Sequence, residues 1–462
     1  MSLNSVLQIG VSGLSAYQTA ISVTGENISN VNTAGYSRQT AVLETAPQST
    51  SSGGLSLGNG VSVTSIQRSY DAVLQKELAN AQTEEGYDTT KSTVLQEIEP
   101  SFNEVSTDGL GTAISDFFNS WQDLTSNPTG TAERQAVLTA AQNLTDNFNS
   151  VSQTLSDTIT AQNTSLVTTT DSINENLKSI AELNSQIKVI DQSGGNSNEL
   201  KDQRDQKIQD LAQQLGITYT ENSDGTTDVQ YADSGAALVT GSQAGSFSLT
   251  TNTTTGLYDV NLTAAGDTTA ATVSPTTGTL GATLELRDTV IPGYQSQLDT
   301  LATTIATKVN AQQQAGYDLN GTAGIALFNP GTSAATIAVN SAITGTNLVA
   351  ASSNASSTGD GSNALAMADL ANDTTTMSGS TFSDYYTSMV TQVGQDVATS
   401  KNNVTQNTAY SNQLSTLRES NSGVSLDEEL VNLTKYQKSY QASAKLITTV
   451  TDMMDTVLGL IS

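Results

Sequence analysis

From Leu3 to Val31 the chain repeats a simple rhythm. Leu3, Leu7, Gly10, Leu14, Tyr17, Ile21, Thr24, Ile28 and Val31 are spaced alternately four and three residues apart. That spacing lays them along one seam of a helix. The C-terminal end keeps the same alternation through Leu426, Leu430, Leu433, Gln437, Tyr440, Ala444, Ile447, Thr451, Met454, Leu458 and Ile461. Helices of about 30 to 40 residues would be about 45 to 60 Å long, and neither could bury its stripe alone. The spacing leaves two arrangements open. Each helix packs on its own domain, or the two ends pair with each other and with neighbouring subunits.

The interior follows the same period in longer segments. From Thr131 to Ile190, Val137, Ala141, Leu144, Phe148, Val151, Leu155, Ile159, Leu166, Ile173, Leu177, Ile180, Leu183, Ile187 and Ile190 predict one helix of about 90 Å, with a possible bend in the Thr-rich residues 154–170. Residues 294–315 and 382–418 predict two more helices, and together these suggest an antiparallel bundle. Residues 217–283 change texture: short Val, Tyr, Leu and Thr runs alternate with Gly, Asn, Asp and Ser turns, as in a small β domain. Residues 317–380 read as loops with short strands, with GYDLNG at 316–321 as a turn.

The expected fold is therefore mainly α with an inserted β domain. It is an elongated multi-domain protein with paired N- and C-terminal coiled-coil helices, an antiparallel helical bundle and a small β-rich insert. The expected division is 1–40 with 422–462 as the terminal helical domain, 41–216 with 284–421 as the bundle (316–380 loop-rich), and 217–283 as the insert.

Charge narrows the possible partners. Lys and Arg number 17 against 45 Asp and Glu, giving a net charge of −28. Phosphate backbones and anionic bilayers repel such a chain, so neither nucleic acid nor membrane insertion is expected. The chain has no Cys and no His. This removes Cys/His metal sites, thiol nucleophiles, Ser-His-Asp triads and disulfides, and no catalytic set, cofactor or metal is expected. Asn222, Asp224, Gly225 and Asp228 faintly resemble a calcium loop, but Thr220 and Tyr231 occupy its essential acidic positions, which favours a hairpin turn. Glu84 with Glu85, and Glu428 with Glu429, are neighbours on helical segments and read as solvated faces. No Lys or Arg precedes Arg38, so the N-terminus does not read as a secretory signal peptide, and no apolar run is long enough to cross a bilayer.

One stretch is more specific. In ENISNVNTAGYSRQ (26–39), Asn27, Asn30 and Asn32 weaken the helix and Gly35 accepts a positive φ, so the helix should stop between Val31 and Gly35. Taken alone this is a helix stop, with Tyr36 covering an apolar surface and Arg38 in a surface ion pair.

The stretch SLNSVLQIGVSGLSAYQTAISVTGENISNVNTAGYSRQ also resembles the N-terminus of the bacterial flagellar axial proteins, and its GYSRQ ending resembles the hook-associated FlgK type. ERQAVL (133–138), NELKDQRDQKIQDLAQQLGI (198–217), residues 286–321 and residues 422–461 extend the resemblance. Ala34 stands where the family often has Pro, and Gln314 near a common His.

The resemblance implies a structural protein forming a junction ring between hook and filament, exported without a cleaved signal peptide to the extracellular flagellum. It implies termini that are unfolded in the free monomer and pair on assembly. The implied partners are further copies of the chain, the hook protein, the second hook-filament junction protein, and an export chaperone on the C-terminal helix. The implied interface is Leu3, Leu7, Leu14, Tyr17, Ile21, Ile28, Val31, Leu426, Leu430, Leu433, Tyr440, Ile447, Met454 and Leu458. Asn30, Asn32, Gly35, Tyr36, Ser37 and Arg38 form the junction turn. The rival readings are a flagellin-like or hook-like subunit, a secreted adhesin using the β insert, and a hydrolase with a carboxylate pair assembled in space.

Overall fold

Both terminal stripes form helices. The computed structural model describes residues 3–46, 58–102 and 109–460. Helix α1 (Leu3–Ser29) leads into a hairpin of β1 (Gln39–Thr45) and β2 (Val61–Arg68). Four helices follow: α2 (Ala72–Ile98), α3 (Leu110–Ser126), α4 (Thr131–Gln192) and α5 (Asn198–Gln214). Next come β3 (Ile217–Glu221), β4 (Thr227–Tyr231), β5 (Ala237–Thr240), β6 (Gln243–Ala244), β7 (Ser246–Thr251), β8 (Tyr258–Thr263) and β9 (Ala270–Thr272). Helix α6 (Gly278–Glu285) runs through a π-helical turn into α7 (Ile291–Ala315), and α8 (Ser362–Asp369), α9 (Phe382–Ser422) and α10 (Leu426–Gly459) complete the chain.

Helix α4, of 62 residues, joins two cores. Its first half sets Val137, Leu144, Phe148 and Leu155 against Phe117 and Trp121 of α3, Leu298 and Ile305 of α7, and Phe382 and Met389 of α9. Its second half sets Leu166, Ile173, Leu177 and Ile180 against Leu211 of α5 and the sheet residues Val229, Val239, Phe247 and Val260. The helix is unbroken through 154–170. There the hydroxyls of Thr154, Thr158, Thr160 and Thr164 donate to carbonyls four residues back, so they find partners without opening the ladder.

The β region folds as two small antiparallel sheets, in the orders β3-β4-β5-β6 and β7-β8-β9. At the turn between β3 and β4, Gly225 takes φ +83° and Asp224 accepts from Thr226 and pairs with Lys188, which makes it a hairpin turn.

Three elements depart from the sequence expectation. Helix α2 has no clean apolar stripe, because its buried face includes Gln75, Ala79, Thr83, Gly86, Asp88 and Ser92. Polar contacts add to its buried Leu78, Val94, Leu95 and Ile98: Asp88 accepts from Asn403 and Asn407 of α9, and Thr83 donates to the Ala212 carbonyl. The hairpin strands β1 and β2, from the stretch expected to open the bundle at residue 41, pack on the terminal helices, where Ala41, Val63 and Ile66 meet Ala20, Val23 and Tyr436. Among the described residues, 317–380 forms isolated bridges rather than strands, yet Leu327, Phe328, Ile337 and Val349 are fully buried in the first core.

Candidate assembly interface

Helices α1 and α10 pack side by side at close range. An ideal Cβ on Gly10 would lie 2.7 Å from Ile447 Cγ1, and one on Gly13 would lie 2.8 Å from Ser443 Oγ. Tyr17 stacks on Tyr436 with ring centroids 6.5 Å apart. The fully buried line of α1 is Gly10, Gly13, Ala16, Ala20, Val23, Thr24 and Asn27. Small side chains occupy the contact line because two backbones this close leave no room for large ones. Leu3, Leu7, Leu14, Tyr17, Ile21, Ile28 and Val31 flank it and are half-buried. The seam is thus displaced from the large apolar positions by which the sequence announces the helix.

On α10 the structure divides the expected residues. Ile447 meets Gly10, and Leu433 and Met454 are half-buried. Leu426, Leu430, Tyr440 and Leu458 are exposed by 46%, 51%, 37% and 65%, so this chain does not cover them. Val431, Leu446, Met453, Val457 and Leu460 extend the same exposed apolar surface. Ile461 lies outside the described residues.

The turn after α1 is tied on three sides. Helix α1 ends at Ser29, two residues before Val31, and Gly35 takes φ +81°. Asn27 is no helix breaker: buried, it accepts from the Tyr36 hydroxyl (2.9 Å) and the Gln39 amide (2.9 Å) and donates to the Gln39 carbonyl (2.8 Å). Burial raises the Tyr36 phenol above its ordinary range, with Glu26 adding to the shift, so it stays a neutral donor. Asn30 caps the helix end by accepting the Thr33 amide at its carbonyl, while Asn32 is exposed. The Ser37 amide donates to Asp202 of α5 (2.8 Å).

Arg38 faces the other way. Its amide donates to the Ser422 carbonyl at the end of α9, and its guanidinium lies 3.0 Å from both Glu428 and Glu429. The acidic neighbours read as a solvated face are therefore partners of Arg38, and Glu429 is buried. Sequence reasoning singled out neither Arg68, which binds Asp202 and Asp205, nor Gln39, which accepts from Asn196 and Asn198. Asp202 and Asp205, three residues apart on one helix face within NELKDQRDQKIQDLAQQLGI, were the available signal.

Among the described residues no group of acidic side chains has the arrangement of a metal site, and no helix is long and apolar enough to cross a membrane.

Comparison with known proteins agrees with this geometry. Residues 95–328 match the model of the flagellar hook-associated protein FlgK helical domain. Residues 7–36 match the flagella basal body rod protein model, and 418–460 the C-terminal model of the flagellar basal body rod FlgEFG proteins. The flagellar hook-associated protein 1 of Escherichia coli (strain K12) is 28% identical over 552 aligned positions, covering 99% of this chain and 100% of that protein. Its counterpart in Bacillus subtilis (strain 168) is 27% identical, covering 96% of each. The solved structure of the flagellar hook junction protein FlgK from Burkholderia pseudomallei shares the fold, with TM-score 0.65 and 19% identity over 76% of this chain and 100% of that one. The helical-domain match spans just over half of the sequence, and the chain belongs to the FlgK family of flagellar hook-associated proteins.

Proposed function

We propose that this protein is a structural subunit of the junction between flagellar hook and filament, where copies form a ring through their terminal helices. The observation that carries this reading is the apolar surface of α10, which stays open after α1 is seated. A row of exposed Leu, Val and Met side chains this long is the mark of a surface that meets other chains. The terminal pair also carries only −3 of the net charge. It carries Arg38, Lys435, Lys438 and Lys445 against Glu26, Glu44, Asp427, Glu428, Glu429, Asp452 and Asp455, so most of the −28 lies elsewhere. Copies can therefore approach through these helices with little like-charge repulsion.

The match of the middle of the chain to the hook-associated helical domain, with rod-type matches confined to the two ends, favours a junction subunit over a rod, hook or filament subunit. The partners of the open face are then other copies, the hook protein on one side and the second junction protein on the other. Before assembly the same face of α10 is the seat of an export chaperone. The terminal helices order on association, because each needs a partner to bury its stripe.

The test is electron microscopy of cells lacking the gene, with an assay for flagellin in the medium. Bare hooks with flagellin lost to the medium support the junction reading. Normal filaments on normal hooks in a strain without a second copy overturn it.

A further inference from the structure

The hairpin β1–β2 is too small to hold itself, since two strands alone are marginal in water. Its apolar contacts are with Ala20 and Val23 of α1 and Tyr436 of α10. Its base, however, carries a second attachment. Arg68 Nη1 donates to Asp202 Oδ1 at 2.9 Å and to Asp205 Oδ2 at 2.6 Å. Asp202 Oδ2 accepts the Ser37 amide at 2.8 Å, and the Arg68 guanidinium lies 4.1 Å above the Tyr70 ring. Asn198 Nδ2 donates to the Ile66 carbonyl at 2.9 Å, and Gln39 Oε1 accepts from Asn196 at 3.1 Å and Asn198 at 3.3 Å.

None of these bonds involves α1 or α10. The Arg68 and Asp202 side chains are 8% and 7% exposed, so water cannot replace a lost partner. Burial depresses the Arg68 pKa, but the two carboxylates outweigh it and hold the guanidinium more firmly charged. A buried network of this kind tends to be satisfied as a whole or not at all, because removing one charge strands the others.

We propose that this network is a latch that keeps the hairpin base on α5 whether or not α1 and α10 are paired. The terminal helices then pivot at residues 30–35 and 423–425, outside the latch. Gly35 at φ +81° and the exposed Asn32, Thr33 and Ala34 lie at the first pivot. The break between α9 and α10 at Gly423, Val424 and Ser425 is the second. The latch thus sets where the rigid body ends and the segment that orders on assembly begins. It rests on the reading that the terminal helices order on association.

Hydrogen exchange on the full-length monomer tests it, amide by amide. The latch predicts rapid exchange along α1 and α10 with slow exchange at Ser37 and Ser69, whose amides donate to Asp202 and to the Arg38 carbonyl. In Arg68→Met those two amides should exchange at least about tenfold faster, while Ile173 and Leu177 in α4 stay unchanged. If Arg68→Met does not fold, Asp202→Asn keeps the side-chain shape and should speed the same amides by a smaller factor. A base that exchanges as fast as α1 in the wild type overturns the latch, as does an unchanged base in a folded variant. Slow exchange along α1 and α10 in the monomer instead overturns ordering on association, and the Arg68→Met comparison still decides the latch.

Discussion

Gly10 offers a direct test of the close packing of α1 on α10. In Gly10→Ala the added Cβ lies 2.7 Å from Ile447 Cγ1, whereas relaxed carbon contacts sit at about 3.5 to 4.0 Å. Ile447 is β-branched and stiff on its own helix, so the two helices must part by about 1 Å. Overpacking of this kind costs about 1–3 kcal/mol, and the better helix propensity of Ala returns at most about 1 kcal/mol. Taking the middle of the overpacking range, the pair should weaken by about 1 kcal/mol, roughly fivefold in its equilibrium.

Gly25, on the same helix, has no atom within 4 Å of its Cβ position, so Gly25→Ala should strengthen α1 by about 0.5–1 kcal/mol. Gly13→Ala should fall between them, because Ser443 Oγ can swing away at the cost of its bond to the Ser439 carbonyl. The assay is filament number and soft-agar spreading in cells whose only copy is the variant, with equal protein levels checked by immunoblot. The expected order of function is Gly25→Ala at or above wild type, then Gly13→Ala, then Gly10→Ala. Equal behaviour of Gly10→Ala and Gly25→Ala would refute the close-packing argument.

Other outcomes follow from the same structure. Leu430→Ser with Val457→Ser should leave the thermal midpoint of the purified protein unchanged but release flagellin to the medium, because both side chains are exposed; a lowered midpoint would mean they are packed within the subunit. Phe148→Ala should lower stability by about 3–5 kcal/mol in denaturant unfolding, since the ring is fully buried in the first core; a loss below about 1 kcal/mol would place that ring outside a close-packed core. The Ser362 hydroxyl, with the Ser353 and Ser362 amides, holds the Asp360 carboxyl well below the usual carboxylate range. A depressed folded pKa gives stability that is present above the unfolded value of about 3.9 and lost as pH falls. Asp360→Asn should therefore melt lower than wild type at pH 7, with the gap closing on acidification below about pH 4. A gap independent of pH would exclude the carboxylate as its source.

The sequence showed the long helices because their large apolar residues keep the helical period, as in the Val137 to Ile190 series of α4. It did not show α2, where Thr83, Gly86, Asp88 and Ser92 are buried among the apolar positions and blur the helical period. At the terminal pair the large residues announced the helix but not its contact line, which depends on the small Gly10, Gly13, Ala16 and Ala20. The junction turn was legible as a turn from Gly35. Its anchors were not, because Asp202, Arg68 and Ser422 come together only through the fold. The loop-rich 317–380 contributes core residues without any periodic pattern, since Leu327, Phe328 and Val349 enter the core singly.

The passage of α4 through both cores bears on how the body melts. Losing either core strands half of the helix without its apolar partners, and a polar helix of that length is marginal on its own. At the crossing point, Asn163 Oδ1 accepts from the Tyr258 amide and from Arg287 Nη1, which fastens the middle of the helix to β8 and to the π-helical turn before α7. The bundle and the sheets thus share one cooperative unit, and calorimetry of the body should show a single heat-absorption peak where its layout would otherwise suggest two.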